Sequence, residues 1–236
     1  QIHSQATPDQ GPSKRRHTNQ RNLKMPVLKL YYGDMPFWRA EVCRLALHLG
    51  KVPFEDVRAK TPEDRAAFKE SGKAPFGQVP ILEVDGKVIA QTGAIARYCG
   101  KLGGFYPRND DFAAAKIDEI IDTATDMTMA VGKTFRMEAK EKTEAREQLA
   151  TVTLPMYLKA LEKIMTENGS TGFYVTGKMT IADIAMWRLF GWLTGGIVDG
   201  LPTTMLEPYP QLLANFKTTD QHPEIADWMT KHYPKK

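Results

Sequence analysis

Only two of the 236 residues are cysteine, Cys43 and Cys99. They stand in no Cys-x-x-Cys spacing, which excludes a disulfide scaffold, a cysteine zinc site and a thioredoxin-type redox pair. A reducing compartment suits such a chain. Also missing is any run of about 18 apolar residues, so no membrane-spanning helix is expected. Positive charge is absent where a nucleic-acid surface would need it. Lys14, Arg15, Arg16, Arg21 and Lys24 against Asp9 alone place the whole net charge of +4 in residues 1–24. Of 32 basic and 28 acidic side chains, 27 of each remain in residues 25–236. A neutral body points to neither a nucleic-acid nor a membrane partner. Residues 1–24 have almost nothing to bury and read as a disordered basic extension or translated leader before Met25. Their Lys14-Arg15-Arg16 run is a candidate targeting or phosphate-binding patch.

What is present divides in two. Residues 27–32 are short, apolar and end in aromatics, which reads as a strand. Val42, Leu45, Ala46 and Leu49 follow at helical spacing, with Gly50 as the stop. A second strand candidate covers 54–57, a short charged helix 62–71, and a hairpin 79–90 turns at Asp85-Gly86. Thr92 then caps a helix to about 101. Strand, helix, strand, helix, hairpin, helix is the thioredoxin-like order, which predicts a mixed four-stranded sheet with three helices over 25–107. Strand signals vanish after the Gly- and Pro-containing linker 102–110. Helical patterns run over 111–138, 140–167, 180–194, 209–219 and 223–231, so 111–236 is expected to be all-helical.

Three features of the first domain converge. Tyr31 and Tyr32 close the first strand. Pro80 in Gln78-Val79-Pro80 removes a donor and suggests a cis bond in a rigid turn. Gln91-Thr92-Gly93 opens the third helix, where free N–H groups favour an anion. The spacing suggests a site for a small extended peptide or anion, and stops short of naming the ligand.

Several motifs resemble the cytosolic glutathione transferases, over nearly all of 27–233. The run from Pro75 through Gln78-Val79-Pro80 to Asp85-Gly86 is very close to the sigma-class form. Gln91-Thr92 with Ala94-Ile95-Ala96-Arg97-Tyr98 matches the third helix of the family. Gly177-Lys178-Met179-Thr180-Ile181-Ala182-Asp183 resembles its capping motif, and 209–228 its C-terminal pattern. The resemblance implies glutathione as co-substrate, no required metal, small apolar electrophiles as second substrates, a homodimer and a cytoplasmic location. It implies that Tyr32 donates a hydrogen bond to the glutathione sulfur, stabilising the thiolate. Tyr31 is the competitor, because neighbouring strand side chains face opposite ways.

Arg39 matches an arginine that supports that tyrosine. Gln78, Val79, Pro80, Gln91 and Thr92 match residues that hold the tripeptide. Lys69, with Lys73 as second candidate, would reach the glycyl carboxylate. Asp126 would meet the γ-glutamyl amine bound by the neighbouring subunit. The turn 33–38 is one residue longer than in the sigma form and brings Phe37 and Trp38 to the expected electrophile pocket, with Met127 from the fourth helix. For Trp38 the alternative is packing under the first helix. Phe76 is a candidate dimer anchor. Thr180 and Asp183 form a helix-capping pattern with a structural role. Cys43 and Cys99 are expected to be buried and inert. A glutathione-dependent isomerase or peroxidase, and a non-catalytic crystallin-like protein, are the other readings of the same fold.

Overall fold

The computed structural model describes residues 25–234, so the expected basic extension 1–24 lies outside the described residues. β1 (Leu28–Gly33), β2 (Glu55–Ala59), β3 (Ile81–Val84) and β4 (Lys87–Ala90) form one mixed sheet in the order β2-β1-β3-β4. β1 pairs parallel with β2 and antiparallel with β3, and β3 pairs antiparallel with β4. The parallel pair needs a crossover, and α1 (Trp38–Leu49) supplies it. Leu28, Leu30 and Leu82 turn their fully buried side chains to one face, where α1 packs with α3 (Thr92–Gly103). α2 (Pro62–Glu70) begins in a Thr61/Asp64 capping box and buries no residue. The third strand starts later than the sequence suggests, at Ile81, because Pro80 has no N–H for the ladder.

The helical half comprises α4 (Asp111–Lys133), α5 (Ala139–Gln148), α6 (Leu154–Glu167), α7 (Ile181–Leu193), α8 (Pro210–Asp220) and α9 (Pro223–His232). Two expected long helices are interrupted. A 3₁₀ turn at Thr134–Arg136 ends the first. A π turn at Leu149–Thr153 splits the second, where Pro155 cannot donate to the carbonyl one turn back. α7 is buried on almost every side and packs on α1, α4 and α8. That contact fixes the sheet domain against the helical bundle. Close approach of α1 and α3 depends on Gly50 and Gly103: a Cβ at Gly103 would collide with the Ala46 carbonyl.

Candidate active site

The end of β1 places two tyrosines on opposite faces of the sheet. The Tyr31 ring stacks on Phe68 of α2 at 5.3 Å. Its hydroxyl donates to Glu83 (3.3 Å) and accepts from Lys73 Nζ (3.3 Å). Tyr32 lies on the α1 face, with the Arg44 guanidinium 6.0 Å from its ring centroid. Its hydroxyl bonds to no described residue, and it is not among the sealed-off polar atoms. Burial pushes the Tyr32 phenol up, and the cations of Arg39 and Arg44 act against that rise. Tyr32 is thus a protonated, unengaged donor at neutral pH. Burial also lowers Arg39, with Tyr32 opposing, and a guanidinium remains charged throughout.

The loop before β3 and the start of α3 form the facing wall. The Val79–Pro80 bond is cis. Val79 is exposed, and among the described residues no backbone hydrogen bond uses its N–H or C=O. Those two groups remain open to an extended ligand. Gln91 precedes α3 at φ 73°, ψ 122°. That conformation is strained for a residue with a side chain and is held by its surroundings. Arg39 Nη1 reaches across from α1 to Thr92 Oγ1 (3.3 Å). A cavity of about 360 Å³ is lined by Arg39, Gln78, Val79, Gln91 and Thr92, with Thr125 and Met129 from α4. A second, of about 430 Å³, opens between α2 and the sheet at Tyr31, Tyr32, Phe68 and Lys69. Gln78 and Val79 line both, so the two cavities meet at that loop.

Lys69 is exposed on α2 at the second cavity. Lys73 is instead engaged by Tyr31, with Glu83 at 3.6 Å. Phe37 is half-buried, edge-on to Trp192 at 5.2 Å. Asp126 is exposed on α4, and Phe76 is 65% exposed. Two expected pocket residues are corrected by burial. Trp38 is 0% exposed and donates Nε1–H to Thr128 of α4 (2.8 Å), so it packs between the domains. Met127 is also 0% exposed, whereas Met129 is 53% exposed and lines the groove. Two helical positions differ by about 200°, and Met127 occupies the core side. Cys43 and Cys99 are buried free thiols, and burial pushes the Cys43 thiol well up, away from its thiolate form.

Sequence reasoning missed the fastening of the turn 33–37. Arg188 of α7 donates Nε–H to the Pro36 carbonyl (2.6 Å). Arg44 reaches the Gly33 carbonyl (3.3 Å). Arg188 stands 152 residues from Pro36, so no local pattern signals that contact. Among the described residues no group of three His, Cys, Asp or Glu is placed to hold a metal ion, and no helix is long and apolar enough to cross a membrane.

A thioredoxin-like sheet domain with an open groove, joined to a helical domain, defines a class that the comparisons identify. The family model for the glutathione S-transferase N-terminal domain matches residues 26–101, and the C-terminal domain model matches 125–232. Glutathione S-transferase 1 of Ascaris suum is 34% identical over 88% of this chain and 97% of its own. Hematopoietic prostaglandin D synthase of Gallus gallus is 33% identical over 88% and 97%. The solved prostaglandin synthase D of Nilaparvata lugens superposes with TM-score 0.75 at 30% identity, covering 87% of this chain and 98% of that one. The chain belongs to the glutathione S-transferase family. It is an enzyme of that family, which uses glutathione as co-substrate.

Proposed function

We propose that the protein activates glutathione as a Tyr32-stabilised thiolate and transfers it to apolar electrophiles, a detoxifying conjugation in the cytoplasm. The observation that carries the reading is the Tyr32 hydroxyl: protonated, free of described partners and flanked by two cations. Its rival Tyr31 has its hydroxyl occupied by Glu83 and Lys73.

In this reading the tripeptide lies along the groove. Val79 pairs with its backbone, and Gln91, Thr92 and the α3 N-terminus receive the γ-glutamyl carboxylate. Gln78 and Lys69 face the glycyl end. A free thiol titrates near about 8.5, and a hydrogen bond from Tyr32 with the nearby positive charge of Arg39 stabilises the anion. The thiol proton leaves to solvent. The sulfur lone pair then forms the carbon–sulfur bond, and the leaving group departs with its bonding electrons. The electrophile enters beside Phe37 and Met129. Trp38 and Met127 support that wall from behind.

A homodimer completes the site in this proposal, with exposed Asp126 presented to the partner's ligand and Phe76 as the anchor. A second reading, glutathione-dependent isomerisation, is favoured by the two relatives named as prostaglandin D synthases. Conjugation of glutathione to 1-chloro-2,4-dinitrobenzene by wild type, Tyr32→Phe and Tyr31→Phe tests the proposal. Loss confined to Tyr32→Phe supports it. Loss confined to Tyr31→Phe refutes the tyrosine assignment. Glutathione binding without conjugation moves the function to isomerisation or ligand carriage.

A further inference from the structure

The turn after β1 hangs from one fully buried cation. Arg44 sends Nη2 to the Gly33 carbonyl (3.3 Å) and Nη1 toward the Met35 carbonyl (3.5 Å), on either side of the turn's first bend. Its guanidinium carbon also lies over the Tyr32 ring. A cation buried this deeply must be neutralised in good geometry. Glu41 Oε1 at 2.6 Å and Asp56 Oδ1 at 2.9 Å do so. Arg58 of β2 carries the cluster outward, bridging Asp56 and Asp34.

The far end of the chain closes it. Tyr233, just after α9, donates its hydroxyl to Glu41 Oε1 (2.6 Å) and accepts from Arg44 Nη1 (2.9 Å). The same hydroxyl is 3.4 Å from the Met35 carbonyl. Trp228 of α9 donates Nε1–H to the other Glu41 oxygen (2.9 Å). Burial and Glu41 push the Tyr233 phenol up, so the donor is present throughout the working pH range. Three elements therefore converge on 33–36: neighbouring α1 through Arg44 and, from far along the chain, α7 through Arg188 and the C-terminal segment through Tyr233.

We propose that Arg44 and Tyr233 are positioning residues for Tyr32, the C-terminal segment acting as a strap that holds the lengthened turn and so aims the Tyr32 hydroxyl. The inference rests on the reading of Tyr32 as the thiolate stabiliser. Neither residue lines the first cavity or offers a group to the tripeptide, so their effect falls on thiolate formation and on kcat rather than on glutathione binding.

The test is Tyr233→Phe, which removes one hydroxyl and keeps the ring, with Arg44→Lys, which keeps the charge and loses the planar fork. Glu224→Gln, which breaks only the surface pair between Lys51 and α9, is the control. The thiolate ultraviolet band of bound glutathione is titrated, and steady-state kinetics are measured per folded molecule. For Tyr233→Phe, kcat is expected to fall about three- to tenfold with glutathione KM within about twofold. The thiol pKa is expected to rise by about half a unit. Arg44→Lys should show the larger change, and Glu224→Gln none. Wild-type kcat and titration in both variants, while Tyr32→Phe is inactive, overturn the strap alone. Lost stability with unchanged kcat per folded molecule overturns it equally. A normal thiolate band and full activity in Tyr32→Phe would instead remove the reading underneath.

Discussion

Asp183 offers the sharpest quantitative test of the fold. It stands at the start of α7 with 0% exposure, and its two oxygens take four hydrogen bonds. Oδ2 accepts from the Thr180 N–H (2.7 Å) and hydroxyl (2.8 Å). Oδ1 accepts from the Tyr174 N–H (3.1 Å) and Asn215 Nδ2 (2.9 Å). All three partner residues are themselves buried. Asp183→Ala leaves at least three buried donors without an acceptor, and each loses about 1–3 kcal/mol. Burial holds the Asp183 carboxyl above its ordinary value, the four donors opposing. Removing that buried charge offsets part of the loss. The net expectation is about 3–6 kcal/mol, a large share of the roughly 5–15 kcal/mol that holds a typical domain. Asp183→Asn keeps one oxygen but aims an amide at a pair of donors, and should lose about 2–4 kcal/mol. Urea unfolding followed by circular dichroism should show a lower midpoint with unchanged m. Glutathione KM of the folded enzyme should stay at the wild-type value, because Asp183 lies behind neither cavity. A loss below about 1 kcal/mol for Asp183→Ala would refute this account of the helix start.

Trp38→Ala should destabilise by about 3–5 kcal/mol as a large buried side chain, and Trp38→Phe, which deletes the bond to Thr128, by about 1–2 kcal/mol; thermal melting decides. Gly103→Ala should lose about 1–3 kcal/mol by forcing α1 and α3 apart, visible as a lowered urea midpoint. His48 and His232 flank Trp228 at 4.7 and 4.0 Å, and burial lowers both. The folded state then holds fewer protons than the unfolded chain, so stability should fall as pH drops through about 6.5 and level off below the lowered values. The double variant His48→Gln, His232→Gln should flatten the stability slope between about pH 7 and 5.

The elements were legible where local chemistry decides them. Asp85-Gly86 marked its hairpin, Thr180 marked its helix start, and Gly104 ends α3 at φ 85°. The side-chain facing of single residues was harder. Met127 and Met129 carry the same chemistry two positions apart, and only tertiary packing decides which is core. Trp38 reads equally as pocket wall or wedge until Thr128, 90 residues later, supplies its hydrogen-bond partner. The fastening of the turn 33–37 was invisible, because its anchors lie on α1, on α7 and at Tyr233. No local pattern encodes contacts across nearly 200 residues.

The two tyrosines show why register, more than residue type, carries the proposed chemistry. Both are phenols at the end of one strand, and a one-residue slip would exchange their faces. Pairing of Tyr31 with Ile81 and Tyr32 with Arg58 fixes the register from both sides. Leu28 and Leu30, buried against α1 and α3, make a slip expensive, since it would turn Lys29 into the core. The same alternation sets the electrostatics. Tyr31 meets a lysine and a glutamate at the rim, so its hydroxyl is already committed. Tyr32 meets two arginines and no carboxylate within bonding reach, so its proton stays available to an anion. Leu30→Lys with Lys29→Leu, which favours the slipped strand, should therefore abolish conjugation even though both tyrosines remain. Activity at the wild-type level in that folded double variant would show that the strand face does not select the donor.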